Sequence, residues 1–298
     1  MPLSDIERLC RAIVPGTGAI EVRPLANGLI SDTYRVVRDG HSYALKTAAP
    51  QRRDFGLDLA WEARVLERAG SLGLAPPLVY CDLERAVLSR WVVGRTWSPL
   101  EVRRAANITK IAQLLRRVHA LSVPLPPRVM SPMSWIEVYG AALSRRTRRT
   151  RRTRGAFDDA LRAAAESRLQ QLADLAAAAG VVCHSDLHAM NVMQADEILT
   201  LLDWEYAHVS DPLWDLAGWA ANNDLEPETQ RELLMNYLGI APSAAEWQRL
   251  RLLTWLYDYV CLLWSELYLI ARRDVVNGIR ERATLLDARL RLPAHYAP

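Results

Sequence analysis

Lysine is almost missing from this 298-residue chain: only Lys46 and Lys110 occur, although Lys and Arg together number 37. Where arginine is used nearly everywhere else, a lysine kept at a strand end points to a site that needs a compact ammonium rather than a planar guanidinium. Cysteine is scarce too, at positions 10, 81, 183 and 261, with no C-x-x-C pair. That leaves no basis for a zinc site or a disulfide framework, and free thiols suit a reducing cytoplasm. A glycine-rich phosphate loop is lacking: the first turn, Asn27-Gly28-Leu29-Ile30-Ser31-Asp32, holds one glycine. The longest apolar run, Leu252 to Ala271, contains Asp258 and Glu266. Each ionised group near a bilayer centre costs about 2.5–3.5 kcal/mol, so a buried helix is expected there rather than a membrane span. The N-terminal segment has charges inside its only apolar run, and no signal peptide is expected.

Half of the residues are apolar, enough for a large core and two lobes. The net charge of +3 is local in origin: the tract Arg145–Arg154 holds seven arginines, and removing them takes the balance to −4. Nucleic-acid binding is therefore not expected, and the tract reads as a solvated face or an anion contact.

The most informative stretch starts at Val181. An apolar lead-in, Val181-Val182-Cys183, runs into His184-Ser185-Asp186, with Asn191 five residues beyond Asp186. Two β-prone runs follow, Asn191–Met193 and Ile198–Leu202, joined by the polar turn 194–197, and the second ends in Asp203. A hairpin with an amide at its entry and a carboxylate at its exit suits phosphoryl transfer, where the protein positions groups and neutralises charge. A loop Asp can take the proton of an attacking hydroxyl, and Asn and Asp can offer oxygens to Mg²⁺ beside ATP phosphates. The H-x-D-x-x-x-x-N spacing is that of kinase catalytic loops.

Around it the chain orders itself simply. A helix over 4–13 with Ser4 as its cap precedes β-runs Ile20–Leu25, Thr33–Arg38 and Ser42–Thr47, broken at Asn27-Gly28 and Asp39-Gly40. A helix over Leu57–Ala69 carries Glu62, the expected partner of Lys46. Strands Leu78–Cys81 and Ala86–Trp91 feed a hinge at Val92-Val93-Gly94, where an adenine could meet backbone groups near Ser89 and Trp91. Helical spacing then runs from Val102 to Val118, an alanine-rich helix over Phe157–Ala179, and Asp211-Pro212 starts another with Asp215 in its first turn. In the last third, Tyr257, Cys261, Trp264 and Tyr268 share one helix face, flanked by Asp258 and Glu266. Such a stripe is either core or a cage for a cationic alcohol.

These residues resemble the superfamily of choline/ethanolamine kinases and aminoglycoside phosphotransferases. The resemblance runs from Leu25-Ala26-Asn27-Gly28 to Trp264. It is strongest in His184–Asn191, in Leu202-Asp203-Trp204-Glu205-Tyr206 and in Asp211-Pro212-Leu213-Trp214-Asp215-Leu216. It implies an α+β, two-lobed protein-kinase-like fold, with an antiparallel-sheet nucleotide lobe (1–93) and a mostly helical lobe (94–298). It further implies Asp186 as base and Asn191 and Asp203 as Mg²⁺ ligands. Lys46, Glu62, Gly28, Ser31, Ser89 and Trp91 would lie on the ATP side, and Glu205, Tyr206, Tyr257, Trp264 and Tyr268 on the acceptor side. Asp-Trp-Glu-Tyr and Gly94-Arg95-Thr96-Trp97 look most like the choline and thiamine branch. Ser185 stands where protein kinases have Arg, and Asp211 follows Asp203 by only eight residues. That leaves no room for a peptide platform, so a small alcohol is the expected acceptor. Two other readings stay open: an aminoglycoside phosphotransferase using Glu205, Asp211, Asp224, Glu226 and Glu228, and a nucleotide-binding regulator without catalysis.

Overall fold

In the computed structural model, residues 3–25, 30–123, 127–147, 158–176, 178–271, 277–292 and 296 are described. The first part of the chain forms α1 (Leu3–Ile13), β1 (Ile20–Pro24), β2 (Asp32–Arg38), β3 (His41–Thr47), α2 (Leu59–Ser71), β4 (Leu78–Cys81) and β5 (Ala86–Arg90). The strands build one antiparallel sheet in the order β1-β2-β3-β5-β4. Asp39 and Gly40 both take positive φ between β2 and β3, the conformation that a two-residue hairpin turn requires. Asn27-Gly28 lies outside the described residues. Alternation sends Tyr34, Val36, Tyr43, Leu45 and Leu88 to one face, covered by Ile6, Cys10 and Val14. The other face carries Ala44, Lys46, Val87 and Ser89, paired across β3 and β5.

Two helix starts differ from the sequence expectation. Ser4 lies inside α1 rather than capping it, within the usual drift of helix ends. α2 begins at Leu59 because Asp58, not an earlier residue, caps it by accepting the Trp61 N–H at 3.0 Å.

Beyond Arg90 come β6 (Arg95–Thr96), α3 (Ala105–His119), α4 (Pro132–Thr147), α5 (Asp159–Ala173), β7 (Val181–Cys183), β8 (Val192–Ala195), β9 (Ile198–Leu201), β10 (His208–Ser210), α6 (Leu213–Asn222), α7 (Pro227–Leu238), α8 (Ala244–Ala271) and α9 (Asn277–Leu290). The 28-residue α8 is the axis of this lobe. α4, α5, α6 and α9 all pack on it, so its residues are buried on every side and no narrow apolar stripe shows in its sequence. No described helix is long and apolar enough to cross a membrane. α5 stops at Ala173, short of the expected Ala179. Only Leu161 and Ala165 of it are buried, and alanine propensity alone does not hold a helix that tertiary packing has left. The β8–β9 turn is tighter than expected: Ala195 pairs with Ile198, and Asp196 takes positive φ. At α6, the Asp211 carboxylate accepts the Leu213 N–H at 2.8 Å while Pro212 already has helical φ and ψ.

Past β5 the chain reaches Gly94, where a Cβ would stand 2.6 Å from the carbonyl oxygen of Gln194. Arg95 pairs with Gln194 directly afterwards, so neither backbone can retreat easily. Gly94→Ala should therefore cost about 1–3 kcal/mol, as overpacking does. A thermal melt should show a drop of several degrees, and an unchanged melting temperature would mean the contact is loose.

Candidate active site

The catalytic-loop candidate hangs from a buried carboxylate. Asp215, in the first turn of α6, accepts the backbone N–H of His184 at 2.8 Å and of Ser185 at 2.7 Å. His119 Nε2 lies 3.1 Å from the same group. Burial works against the Asp215 charge, but the His119 bond and the two N–H groups outweigh it and hold its pKa below the ordinary carboxylate value. Ser185 is held in the left-handed region at φ 69°, a cost that surrounding contacts must cover. Its carbonyl accepts from Tyr257 Oη at 3.2 Å, and its hydroxyl lies 3.0 Å from His208 Nδ1. Burial pulls His208 down to about 4, so it is a neutral imidazole. Asp186 follows, and Asn191 Nδ2 donates to its carbonyl at 2.8 Å. His184 Nε2 reaches Leu202 O at 2.8 Å, which ties this loop to Asp203.

Across the cleft, Lys46 Nζ sits among three carboxylates: Asp203 Oδ1 at 2.5 Å, Glu205 Oε2 at 2.8 Å and Glu62 Oε1 at 3.3 Å. Arg52, from the helical turn Pro50–Phe55, pairs with Glu62 at 2.7 Å, and Ser31 donates to Glu205 at 3.0 Å. Burial disfavours the Lys46 charge, yet Asp203, Glu205 and Glu62 raise its pKa above the ordinary value. Glu205 is the supernumerary acid. Burial, and the neighbouring Asp203 and Glu62 against the pull of Lys46, push it up to about 7. Asp203 has the opposite balance: burial is outweighed by Lys46, and its pKa is lowered. Its side chain is still 40% exposed, so it faces the cleft.

Beside Asp186 a cavity of about 110 Å³ opens. Trp135, Tyr139, Tyr206, Trp214, Tyr257 and Trp264 wall it. Trp135 and Tyr206 stand 6.0 Å apart by ring centroids, and Trp214 and Tyr257 5.0 Å. A Cβ at Gly218 would come 2.8 Å from the Tyr257 ring, so a glycine in α6 leaves room for that ring.

A model of the phosphotransferase enzyme family matches residues 21–253. The chain belongs to that family. Protein LicA of Haemophilus influenzae is 38% identical over 55 residues, a match that covers 18% of this chain and only 21% of that protein. A choline/ethanolamine kinase family protein from Mesorhizobium loti superposes with a TM-score of 0.77, at 22% identity, covering 100% of this chain and 98% of that one. LicA in complex with AMP gives a TM-score of 0.78, at 20% identity, covering 99% and 98%. Structural likeness at these identities shows a shared α+β kinase fold.

Within the family frame, several expected residues lie elsewhere than expected. Glu205 belongs to the Lys46 cluster and does not line the cavity, because burial and its bonds to Ser31 and to Lys46 on β3 hold it beside the sheet. Tyr268 stacks behind Trp264 at 5.3 Å and is 1% exposed, so it supports the wall without forming it. Asp258 turns from the cavity to Arg289 and Tyr296. Ser31 spends its hydroxyl on Glu205. Ser89 lies on the cleft face opposite Ala44, and Trp91 gives its N–H to Ser42 O at 3.1 Å while its ring lies under Arg35. Gly28 falls outside the described residues, as do Arg148, Arg149, Arg151, Arg152 and Arg154. Arg145 and Arg146 pair with Asp54. The five carboxylates of the aminoglycoside reading are scattered: Asp211 meets Arg249, Asp224 meets Arg289, and none lines the cavity. Sequence reading missed Trp135 and Tyr139 because α4 was not foreseen, though their i, i+4 spacing was a usable signal. Arg52 lies in a short helical turn that has no periodicity.

The Glu205 shift yields a stability test. Its folded pKa is raised above the ordinary 4.5, so its contribution to stability is fully present below pH 4.5 and is lost as pH rises through about 7. Glu205→Gln should remove that fall. Urea titrations at pH 5 and pH 8 should show the variant gaining on the wild type by up to about 3 kcal/mol at the higher pH. Parallel pH curves for the two proteins would contradict the placement of Glu205 as the excess acid.

Proposed function

We propose that the chain is an ATP- and Mg²⁺-dependent kinase that transfers the γ-phosphate to the hydroxyl of a small alcohol. The observation that carries this reading is the position of Asp186. It lines the aromatic cavity and is fixed by Asn191, while Lys46 and Asp203 meet on the adjoining side. A hydroxyl held in the cavity can pass its proton to the Asp186 carboxylate as it attacks. Lys46, once its carboxylate partners share it with phosphate, would neutralise the nucleotide. Asn191 uses its amide nitrogen on Asp186, which leaves its amide oxygen as the donor atom for a metal, and Asp203 is 40% exposed. Both are hard oxygen donors and fit Mg²⁺, which when bound would neutralise phosphate charge. AMP in the matching LicA structure supports nucleotide use, with residues 1–93 as the nucleotide lobe and 94–298 as the acceptor lobe. Four unpaired cysteines suit a reducing cytoplasm.

The aromatic walls suit a cationic group on the acceptor, the feature that alcohols of the choline, ethanolamine and thiamine type share, since ring faces attract such groups. The enclosed volume favours a small molecule over a polycationic antibiotic. Asp186→Asn should lower turnover by about 10²–10⁴-fold with nucleotide affinity unchanged by calorimetry. Turnover near the wild-type level would remove Asp186 from the role of base.

Trp264 holds Tyr206 Oη through its indole N–H at 2.6 Å. Trp264→Leu should raise the acceptor KM several-fold while the ATP KM stays level. The same acceptor KM in a folded variant would make Trp264 simple packing.

A further inference from the structure

Arg282, on α9, is the only lysine or arginine among the described residues that line the cavity. Its Nη2 donates to Asn222 Oδ1 at 2.9 Å and stands 3.8 Å from Cys261 Sγ. Asn222 cannot flip away. Its Nδ2 donates to Leu187 O and to Tyr257 Oη, both at 3.0 Å, so its oxygen must face the guanidinium. Among the described residues no carboxylate forms an ion pair with Arg282 and no hydrogen bond uses its Nε or Nη1. Those two nitrogens are not among the sealed, unbonded polar atoms of the interior. Asp258, the nearest acid on α8, is already held by Arg289 and Tyr296. A fixed guanidinium therefore presents free donors at a cavity where Asp186 is the one carboxylate among the described lining residues.

For a purely cationic alcohol, Arg282 would offset the attraction that Asp186 and the rings provide in that cavity. Nη2 is taken by Asn222 and Cys261, and the Nε and Nη1 donors lie on separate edges of the guanidinium, so each suits an anion through a single charge-assisted hydrogen bond. We propose that the acceptor carries an anionic group of the carboxylate class, which Arg282 binds while the acceptor hydroxyl faces Asp186. An ammonium on the same molecule would still find the aromatic walls. The acceptor is then a small hydroxy acid or hydroxy amino acid rather than choline. This rests on the kinase reading of the Asp186 site, and binding measurements keep the two apart because they need no turnover.

The test is calorimetry on the full chain with 4-hydroxybutyrate, homoserine and choline. The two carboxylate compounds should bind at least about tenfold more tightly than choline, in keeping with one well-placed charge-assisted contact. Arg282→Gln should weaken both by about 10–100-fold, leave choline equal or tighter, and leave nucleotide affinity unchanged. Choline binding better than either carboxylate, no binding by either carboxylate, or carboxylate affinity untouched by Arg282→Gln would each overturn the proposal. Should that variant fail to fold, the wild-type order of the three ligands decides alone. Loss of the kinase reading would show separately, as absent ATP consumption despite carboxylate binding.

Discussion

Everything at the site depends on one buried carboxylate. Asp215 has no solvent exposure, and an unpaired charge in that position would cost several kcal/mol. It is tolerated because two backbone N–H groups and His119 satisfy it. The same bonds compel Ser185 into its positive-φ conformation and thereby aim Asp186. Tyr237 in turn lies 2.8 Å from His119 Nδ1, so the brace runs from α7 through α3 to α6 and then to the loop. Helix packing far from the cleft is thus converted into the direction of one side chain.

The second constraint is electrostatic. Lys46 and Arg52 face Glu62, Asp203 and Glu205, three acids to two bases, in a space largely closed to water. One acid in such a group gains from keeping its proton, and Glu205 is that acid because it is more buried than Asp203. The surplus also keeps Lys46 charged and held between the sheet and the Asp203 segment. On the proposed kinase reading, nucleotide phosphates arriving there would compete with carboxylates for the same ammonium, which already bridges the sheet and the Asp203 segment.

How legible this was depended on the range of each interaction. Asp186, Asn191 and Asp203 could be read because they lie on a short loop and hairpin, whose geometry follows from spacing alone. Lys46 and Glu62 could be paired on paper because a strand end and a following helix allow few arrangements, and because lysine is so rare in this chain. Ser31 with Glu205 could not be foreseen, as 174 residues separate them and each local context is ordinary. Arg52 and Arg282 were invisible for another reason. Arginine is the default base here, so its identity carries no signal until a fold leaves one of them without a carboxylate.

The aromatic stripe of α8 shows why periodicity could not decide between cage and core. Tyr257, Trp264 and Tyr268 do share a side of the helix, but α8 is enclosed by four other helices, and a single side meets several surroundings along its length. Tyr268 is stacked into the core behind Trp264. Trp264 is part wall and part brace for Tyr206. Tyr257 touches the cavity with its ring while its hydroxyl accepts from Asn222 and donates to Ser185. One residue thus belongs at once to the packing, to the cavity and to the loop that carries Asp186. Because Asn222 also fixes Arg282, a change in how Tyr257 packs would reach the Asp186 loop and the guanidinium together. The cavity wall and the Asp186 loop are therefore coupled through a single amide, which a helical repeat in the sequence has no means of expressing.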